Sequence, residues 1–289
     1  MLLHIAGFEL RRRLRMLSTY VYFAVFFGIG FLWMSLAGGA FPGASVDFGA
    51  GGKVFINAPL SLLFMTSIGG YLGTTLTAAI AGRATFQDVD HRTTAFFYTA
   101  PISKLDYLGG RYLGSFLAVM VLYPGLSLGA AAAMHSPLID ATRVGPGVSW
   151  AYLAPYLTIL VPNLIFTSSI FFALATLLRR MVPVYVGAVV LVLGFLIASA
   201  LTSNIENRTL ASLVDPFGMQ AAGILTDYWT IAEKNARLVP LSGLFLWNRV
   251  IWSGLGALLL ALTYARFSFA QPLVRRPEAQ PAELELAEP

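Results

Sequence analysis

Few residues in this sequence could do covalent chemistry, and their spacing argues against most of it. The histidines His4, His91 and His135 lie far apart, none sits in an H-E-x-x-H pattern, and there is no cysteine to complete a thiolate set. No metal site is therefore expected, since zinc needs convergent His, Cys or carboxylate ligands. The absence of G-x-x-x-x-G-K-[ST] removes a P-loop, so no nucleotide phosphate is expected to be held by this chain. What stands out instead is a segment of mixed charge and aromatics at 83–111, RATFQDVDHRTTAFFYTAPISKLDYLGGR. Its acids, bases and tyrosines suit an interface better than a reaction, although they could also merely solvate a loop. A second polar group is milder: Thr74 and Thr75, and Asn163 and Thr167 beside Pro162, lie inside apolar runs. They could line a substrate-facing surface, with hydrogen bonding between helices as the competing use.

The elements that carry these residues follow from charge placement. Only 11% of the 289 residues are charged while 57% are apolar, against about 25% charged in ordinary soluble chains. The apolar excess runs from Val21 to Phe267 without a polar stretch long enough to fold alone, which excludes both a soluble fold and a soluble catalytic domain on an anchor. A helix crosses the hydrocarbon core with about 20 mostly apolar residues. Charge-free windows of that kind occupy 16–46, 54–82, 112–139, 144–178 and 181–205, with a shorter one at 250–265. The expected fold is all-α and membrane-embedded, with six spans at about 19–38, 59–82, 112–134, 151–178, 182–201 and 244–266. The last span requires Arg249 to snorkel to an interface near Trp247 and Trp252. The runs do not alternate, so a barrel is not expected.

Lysine and arginine alternate in density between successive loops. Arg11, Arg12, Arg13 and Arg15 precede the first span; Arg83, Arg92, Lys104 and Arg111 follow the second; Arg179 and Arg180 follow the fourth; Arg266, Arg275 and Arg276 follow the last. The other side holds Lys53, Arg143, Arg208, Lys234, Arg237 and Arg249. This asymmetry predicts both termini in the cytoplasm. Anionic membrane lipids suffice as partners for the net charge of +5, and no nucleic acid is implied. No cleavable signal pattern is expected at the N-terminus, because the arginine cluster leads into a full-length apolar run.

Residues 2–15 suit an amphipathic helix on the cytoplasmic leaflet. Pro101 and Ser103 predict a turn and a cap for a short helix over about 102–110. The segment 202–243 has apolar patches at Leu210–Val214 and Met219–Leu225, which predict short helices dipping into the outer interface. Residues 269–289, rich in Pro, Ala and Glu, read as a disordered cytoplasmic tail or a truncated linker. Gly69-x-x-x-Gly73, Gly110-x-x-x-Gly114 and Gly125-x-x-x-Gly129 permit close helix packing without naming partners.

This pattern resembles the permease subunit of type 2 ABC transporters. The resemblance is carried by Asp88-Val-Asp-His-Arg-Thr-Thr and by Phe96-Phe-Tyr-Thr-Ala-Pro-Ile-Ser-Lys-Leu-Asp-Tyr-Leu-Gly-Gly-Arg111. More specifically, residues 1–268 look like the membrane portion of bacterial permeases fused to a gluzincin-type aminopeptidase, through Phe8-Glu-Leu-Arg, Phe172-Ala-Leu-Ala-Thr-Leu, Glu206-Asn-Arg-Thr-Leu, Asp215-Pro-Phe-Gly and Tyr228-Trp-Thr-Ile-Ala-Glu-Lys-Asn. The sequence has no zinc motif, so peptidase activity is not implied. The resemblance implies a bacterial cytoplasmic (inner) membrane location, a second copy or a homologous permease as partner, and a separate cytosolic ATPase that binds ATP and Mg. It implies an ATPase-coupling loop in which Asp88, Asp90, Arg92, Lys104 and Asp106 make polar contacts, Tyr98 and Tyr107 anchor, and Pro101 and Ser103 shape the coupling helix. Thr74, Thr75, Asn163 and Thr167 would be polar residues of the translocation path. The substrate is left open, since such permeases handle lipids, glycans, drugs and peptides. The alternative from another class is a non-transporting scaffold that anchors a peptidase or other partner.

Overall fold

A computed structural model describes residues 1–41, 43, 46–48, 51, 53–91, 101–202 and 208–269. Arg92, Tyr98, Glu206 and the tail expected beyond 269 lie outside them. The described elements are helical: α1 (Leu2–Leu14), α2 (Leu17–Ala37), α3 (Pro59–Leu72), α4 (Thr74–Asp90), α5 (Lys104–Leu122) and α6 (Pro124–Ala133). They continue with α7 (Trp150–Pro155), α8 (Val161–Leu178), α9 (Val182–Thr202), the short α10 (Arg208–Val214), α11 (Met219–Thr226) and α12 (Ile231–Ala236), and finally α13 (Gly243–Arg266). Four stretches are long and apolar enough to cross a membrane: α2, α5–α6, α7–α8 and α13. A fifth is obtained if α3 and α4, bent by 50° at Gly73, form one broken span. The expected span at 182–201 coincides with α9, whose apolar stretch Val182–Ile197 is shorter than the others.

Composition explains the exposed faces. Val186, Val189, Val190, Leu193 and Ile197 of α9, and Val250, Ile251, Leu258 and Leu262 of α13, point outward. In water such stripes would drive association, whereas hydrocarbon is their natural solvent. This is the surface of a membrane protein. Inside, Phe26, Met34, Leu62, Met65, Leu122, Tyr123 and Leu126 form the main apolar core among α2, α3, α5 and α6.

Lipid offers helices no hydrophobic reason to associate, so close backbone approach matters more than in water. The three glycine pairs supply it. A Cβ on Gly110 would lie 2.6 Å from the Ile5 Cβ, and one on Gly114 2.7 Å from the Glu9 Cβ, so this pair seats α1. Gly125 and Gly129 seat α2, where a Cβ would lie 2.9 Å from the Phe23 carbonyl oxygen and 2.0 Å from that of Phe27. Gly69 receives Leu126, and Gly73 receives Tyr123 and Phe26 at the bend. The Tyr123 hydroxyl meets Thr77 Oγ1 at 3.0 Å, fixing the bent pair to the break before Pro124.

Two sequence expectations change, and one expected span carries a local irregularity. The helix expected at 102–110 is not a separate element: Ser103 caps it, its Oγ accepting from the Asp106 amide at 3.1 Å, but it continues to Leu122. Gly109 and Gly110 do not break it because they face Leu2 and Ile5 of α1, which use the missing side chains as space. Residues 83–90 likewise belong to helix α4 rather than to a loop. The fourth expected span contains a π-helical turn at Tyr156–Leu160. It lies between Pro155 and Pro162, each of which removes an amide donor from the i→i−4 ladder.

Gly129→Val should therefore lower thermal stability in detergent by about 3 kcal/mol through forced separation of α2 and α6. Gly28, where an added Cβ would meet nothing within 4 Å, is the control. Gly28→Ala should be neutral or gain up to ~1 kcal/mol.

Candidate functional site

The residues of most interest meet where α1, the end of α4 and the start of α5 converge. Helix α1 is amphipathic in an unusual sense: Glu9 faces the protein and is 0% exposed. It sits four residues before Arg13, whose Nε donates to Glu9 Oε1 at 2.9 Å. Arg111 of α5 completes the cluster, its Nη1 donating to Glu9 Oε2 at 2.7 Å and its Nη2 to Asp88 Oδ1 at 2.6 Å. The Tyr107 hydroxyl donates to Asp88 Oδ2 at 2.9 Å, one helical turn before Arg111. Gln87 Nε2 donates to Glu9 at 3.3 Å, and Arg13 Nη2 reaches the Ile80 carbonyl at 3.2 Å. Two carboxylates and two guanidiniums are thus buried together, neutral as a set, and tie three helices.

A buried charge persists only when paired and hydrogen-bonded. Burial raises the Glu9 pKa, but Arg13, Arg111 and Arg12 together lower it by more, so the carboxyl lies below its ordinary value of 4.5. Nearby, the Leu2 amide donates to Asp106 Oδ1 at 2.7 Å, and Ser103 Oγ donates to Asp106 Oδ2 at 2.6 Å. The N-terminus of α1 is therefore pinned to the N-terminus of α5. Tyr107 stacks on Phe267 with ring centroids 5.8 Å apart, and the Lys104 ammonium lies 4.6 Å from the Tyr264 ring centroid. The end of α13 is thereby joined to the same assembly.

The expected coupling residues separate into two groups. Asp88, Tyr107 and Asp106 turn inward and hold helices together, so their side chains are engaged within the chain. Asp90, Pro101 and Ser103 are exposed, as is Leu105 at 58%. Lys104 is half-buried against Tyr264. The expected path residues do not share one surface. Thr74 donates across the bend to the Gly70 carbonyl of α3 at 3.2 Å, and Thr167 to the Asn163 carbonyl of its own helix at 2.8 Å. Thr75 is exposed and 3.4 Å from the Leu72 carbonyl.

Asn163 belongs to a second polar cluster, and here the expectation for Arg249 is corrected. Arg249 does not snorkel outward; it is 3% exposed and turned into the protein. Asn163 Oδ1, Asn248 Oδ1 and the Pro216 carbonyl accept from it. Asp215-Pro-Phe-Gly forms the cover. Gly218 has φ +72°, and a Cβ there would lie 2.1 Å from the guanidinium, so only glycine closes the loop over Arg249. Asn248 Nδ2 donates to the carbonyls of Ser212 and Asp215 at 2.7 and 2.8 Å. The Asp215 carboxylate accepts from the amides of Phe217 and Gln220 at 2.9 and 2.8 Å. Burial raises the Asp215 pKa, against the pull of those amides and of Arg249.

Glu9, Arg13, Gln87 and Arg249 were not singled out from sequence as site residues. The Glu9–Arg13 spacing of four was a legible signal, since it places the two on one helix face. Among the described residues no group of three or more His, Cys, Asp and Glu could hold a metal ion. The assembly clamps α1, α4 and α5 together. Neither a family model nor a curated protein matches the chain.

Removing Arg111 leaves Glu9 and Asp88 facing each other in a dry site, so Arg111→Met should cost about 3–5 kcal/mol in thermal or denaturant unfolding. Adding Asp88→Asn should recover part of that loss. A lowered folded pKa at Glu9 means its stabilisation is present above about pH 4.5 and is lost as pH falls through that value toward the folded pKa. Glu9→Gln should therefore flatten the acid side of a stability–pH profile while lowering stability near neutrality.

Proposed function

We propose that the chain is the membrane-spanning permease subunit of an ABC transporter, an exporter that couples ATP hydrolysis on a separate cytosolic subunit to substrate movement. In this reading α2, α3–α4, α5–α6, α7–α8, α9 and α13 are six spans, both termini are cytoplasmic, and the membrane is the bacterial inner membrane. Two permeases, identical or homologous, enclose the path, while the partner ATPase holds ATP and Mg.

The observation that supports this most is the buried Glu9–Arg111–Asp88 chain at the ends of α4 and α5. These ends flank residues 91–103, which contain the segment that resembles the ATPase-coupling loop. A push on that segment meets α4, α5 and α1 as one rigid body, because separating them would expose buried charge. Movement of the segment would therefore be passed to two spans at once instead of being absorbed locally. Tyr107 acts inside this lever and not as a surface anchor. Among the described residues, the exposed Asp90, Pro101, Ser103 and Leu105 are side chains open to the ATPase.

The scaffold reading has one observation in its favour. Thr74 and Thr167 spend their hydroxyls on carbonyls one turn back, Gly70 and Asn163, which leaves neither as a donor toward a path.

The decisive experiment is purification of the membrane complex followed by ATPase measurement in liposomes. An ATPase subunit should co-purify, and Leu105→Asp with Lys104→Glu should lower stimulated hydrolysis about tenfold, the scale of an interface hot spot, with the permease still folded. A complex lacking any ATPase, or coupling unchanged in the double variant, would sink the transporter reading. The first of those results would favour the scaffold.

A further inference from the structure

A cavity of about 500 Å³ opens beside the clamp, between the α1–α2 junction and the last turns of α4. Arg12, Arg13 and Met16 form one wall; Arg83, Phe86, Gln87 and Asp90 form the other. The charges on these walls are unequal in their commitments. Arg13 is spent on Glu9 and the Ile80 carbonyl. Arg12 donates to Gln87 Oε1 and stands 3.9 Å from Glu9, whose oxygens already receive Arg13 and Arg111. Arg83 is exposed and has no carboxylate partner among the described residues. Against Arg83 and against Arg12, which shares the Glu9 carboxylate with Arg13 and Arg111, the cavity offers one carboxylate, Asp90. A positive surplus is therefore built into a recess that also carries an apolar lining, Met16 and Phe86.

The charge pattern also places the recess at the end of the apolar runs. Leu17, next to Met16, begins the apolar helix α2, and Arg83 ends the charge-free run 54–82. Both arginines thus stand where hydrocarbon gives way to water, with exposed Leu17 and Tyr20 continuing along α2 below them. A basic recess with an apolar floor at that level matches an amphiphile with a phosphate head. A soluble anion would use the arginines and leave the apolar wall idle.

We propose that this cavity binds the phosphate headgroup of an anionic phospholipid, with Arg12 and Arg83 as its charge partners and Met16 and Phe86 against the first acyl carbons. The inference requires a membrane protein but not a transporter, so it stands or falls apart from the function proposed above. Bound lipid would bridge α1 and α4 from outside, next to the ion chain that bridges them from within.

The full chain, purified in mild detergent, is mixed with phosphatidylglycerol or phosphatidylcholine, and retained lipid is counted by native mass spectrometry. Phosphatidylglycerol should be retained preferentially, and Arg12→Gln and Arg83→Gln should each weaken that retention about fivefold, the effect of one basic residue at a membrane surface. Asp90→Asn, which removes the opposing charge, should strengthen it. Equal retention of the two lipids overturns the proposal. So does equal protection against thermal unfolding by inorganic phosphate and by phosphatidylglycerol, since that marks a free-anion site. If the arginine variants fail to fold, Asp90→Asn decides: no gain in phosphatidylglycerol retention overturns the site.

Discussion

Glu9 is the residue on which this end of the molecule depends. A carboxylate with no exposed surface is tolerable only where cations reach it, and Arg13 and Arg111 do so from two different helices. Arg111 then carries the network on to Asp88, so α1, α4 and α5 cannot separate without leaving a charge unpaired in a dry environment. The net worth of such a cluster against an apolar replacement can be near zero. Its value lies in steepness: small displacements are costly, and the three helices hold one relative position. A short helix lying outside the apolar spans is thereby made part of the bundle.

The rest of the packing obeys a different rule. Along α2–α6 and α1–α5 the helices meet through glycine against backbone, where dispersion and close approach replace the hydrophobic effect. Glycine contacts of this kind resist overpacking, and on the α1–α5 seam the Glu9–Arg111 ion pair and the Leu2–Asp106 hydrogen bond add direction to them. The polar clusters sit at the two ends of α13: Lys104 and Tyr107 engage Tyr264 and Phe267 at its C-terminus, while Arg249 is held by Asn163 near its start. Directional bonds at the ends and glycine seams between them form a bundle stiff at its rims.

Charge placement made the helices legible, because a long charge-free window has few alternatives in lipid. It was also the source of the misreadings. Distance between charges in sequence says where solvent must be reachable, and the inference fails wherever charges neutralise one another inside the protein. Arg83 and Asp88 suggested a loop after the second span, yet α4 carries them as helix because Asp88 finds Arg111 and Tyr107. Arg249 suggested an interface residue, yet Asn163, 86 residues away in sequence, and the glycine turn at Gly218 provide for it. Ser103 as a cap was readable locally, since capping involves neighbours. That the helix it starts runs to Leu122 was not, because Gly109 and Gly110 signal a break unless α1 is known to fill their space.

Arg111 and Arg249, two of the buried arginines, show how differently one side chain can be used in one protein. Arg111 spans two carboxylates, so its removal would take away the cation that Glu9 and Asp88 share. Arg249 is held mostly by neutral oxygens, two amide side chains and a carbonyl, with Asp215 contributing from a distance while bonding its own loop amides. The first arrangement is a clamp between helices. The second locks two helices and a loop, because Arg249 of α13 bonds Asn163 of α8, Pro216 and Gly218 belong to the loop, and Asn163 and Asn248 donate to its carbonyls. The Asp215–Gly218 loop thus closes over the contact that Arg249 and Asn163 make between α13 and α8, whereas Arg111 joins helices with no loop between them.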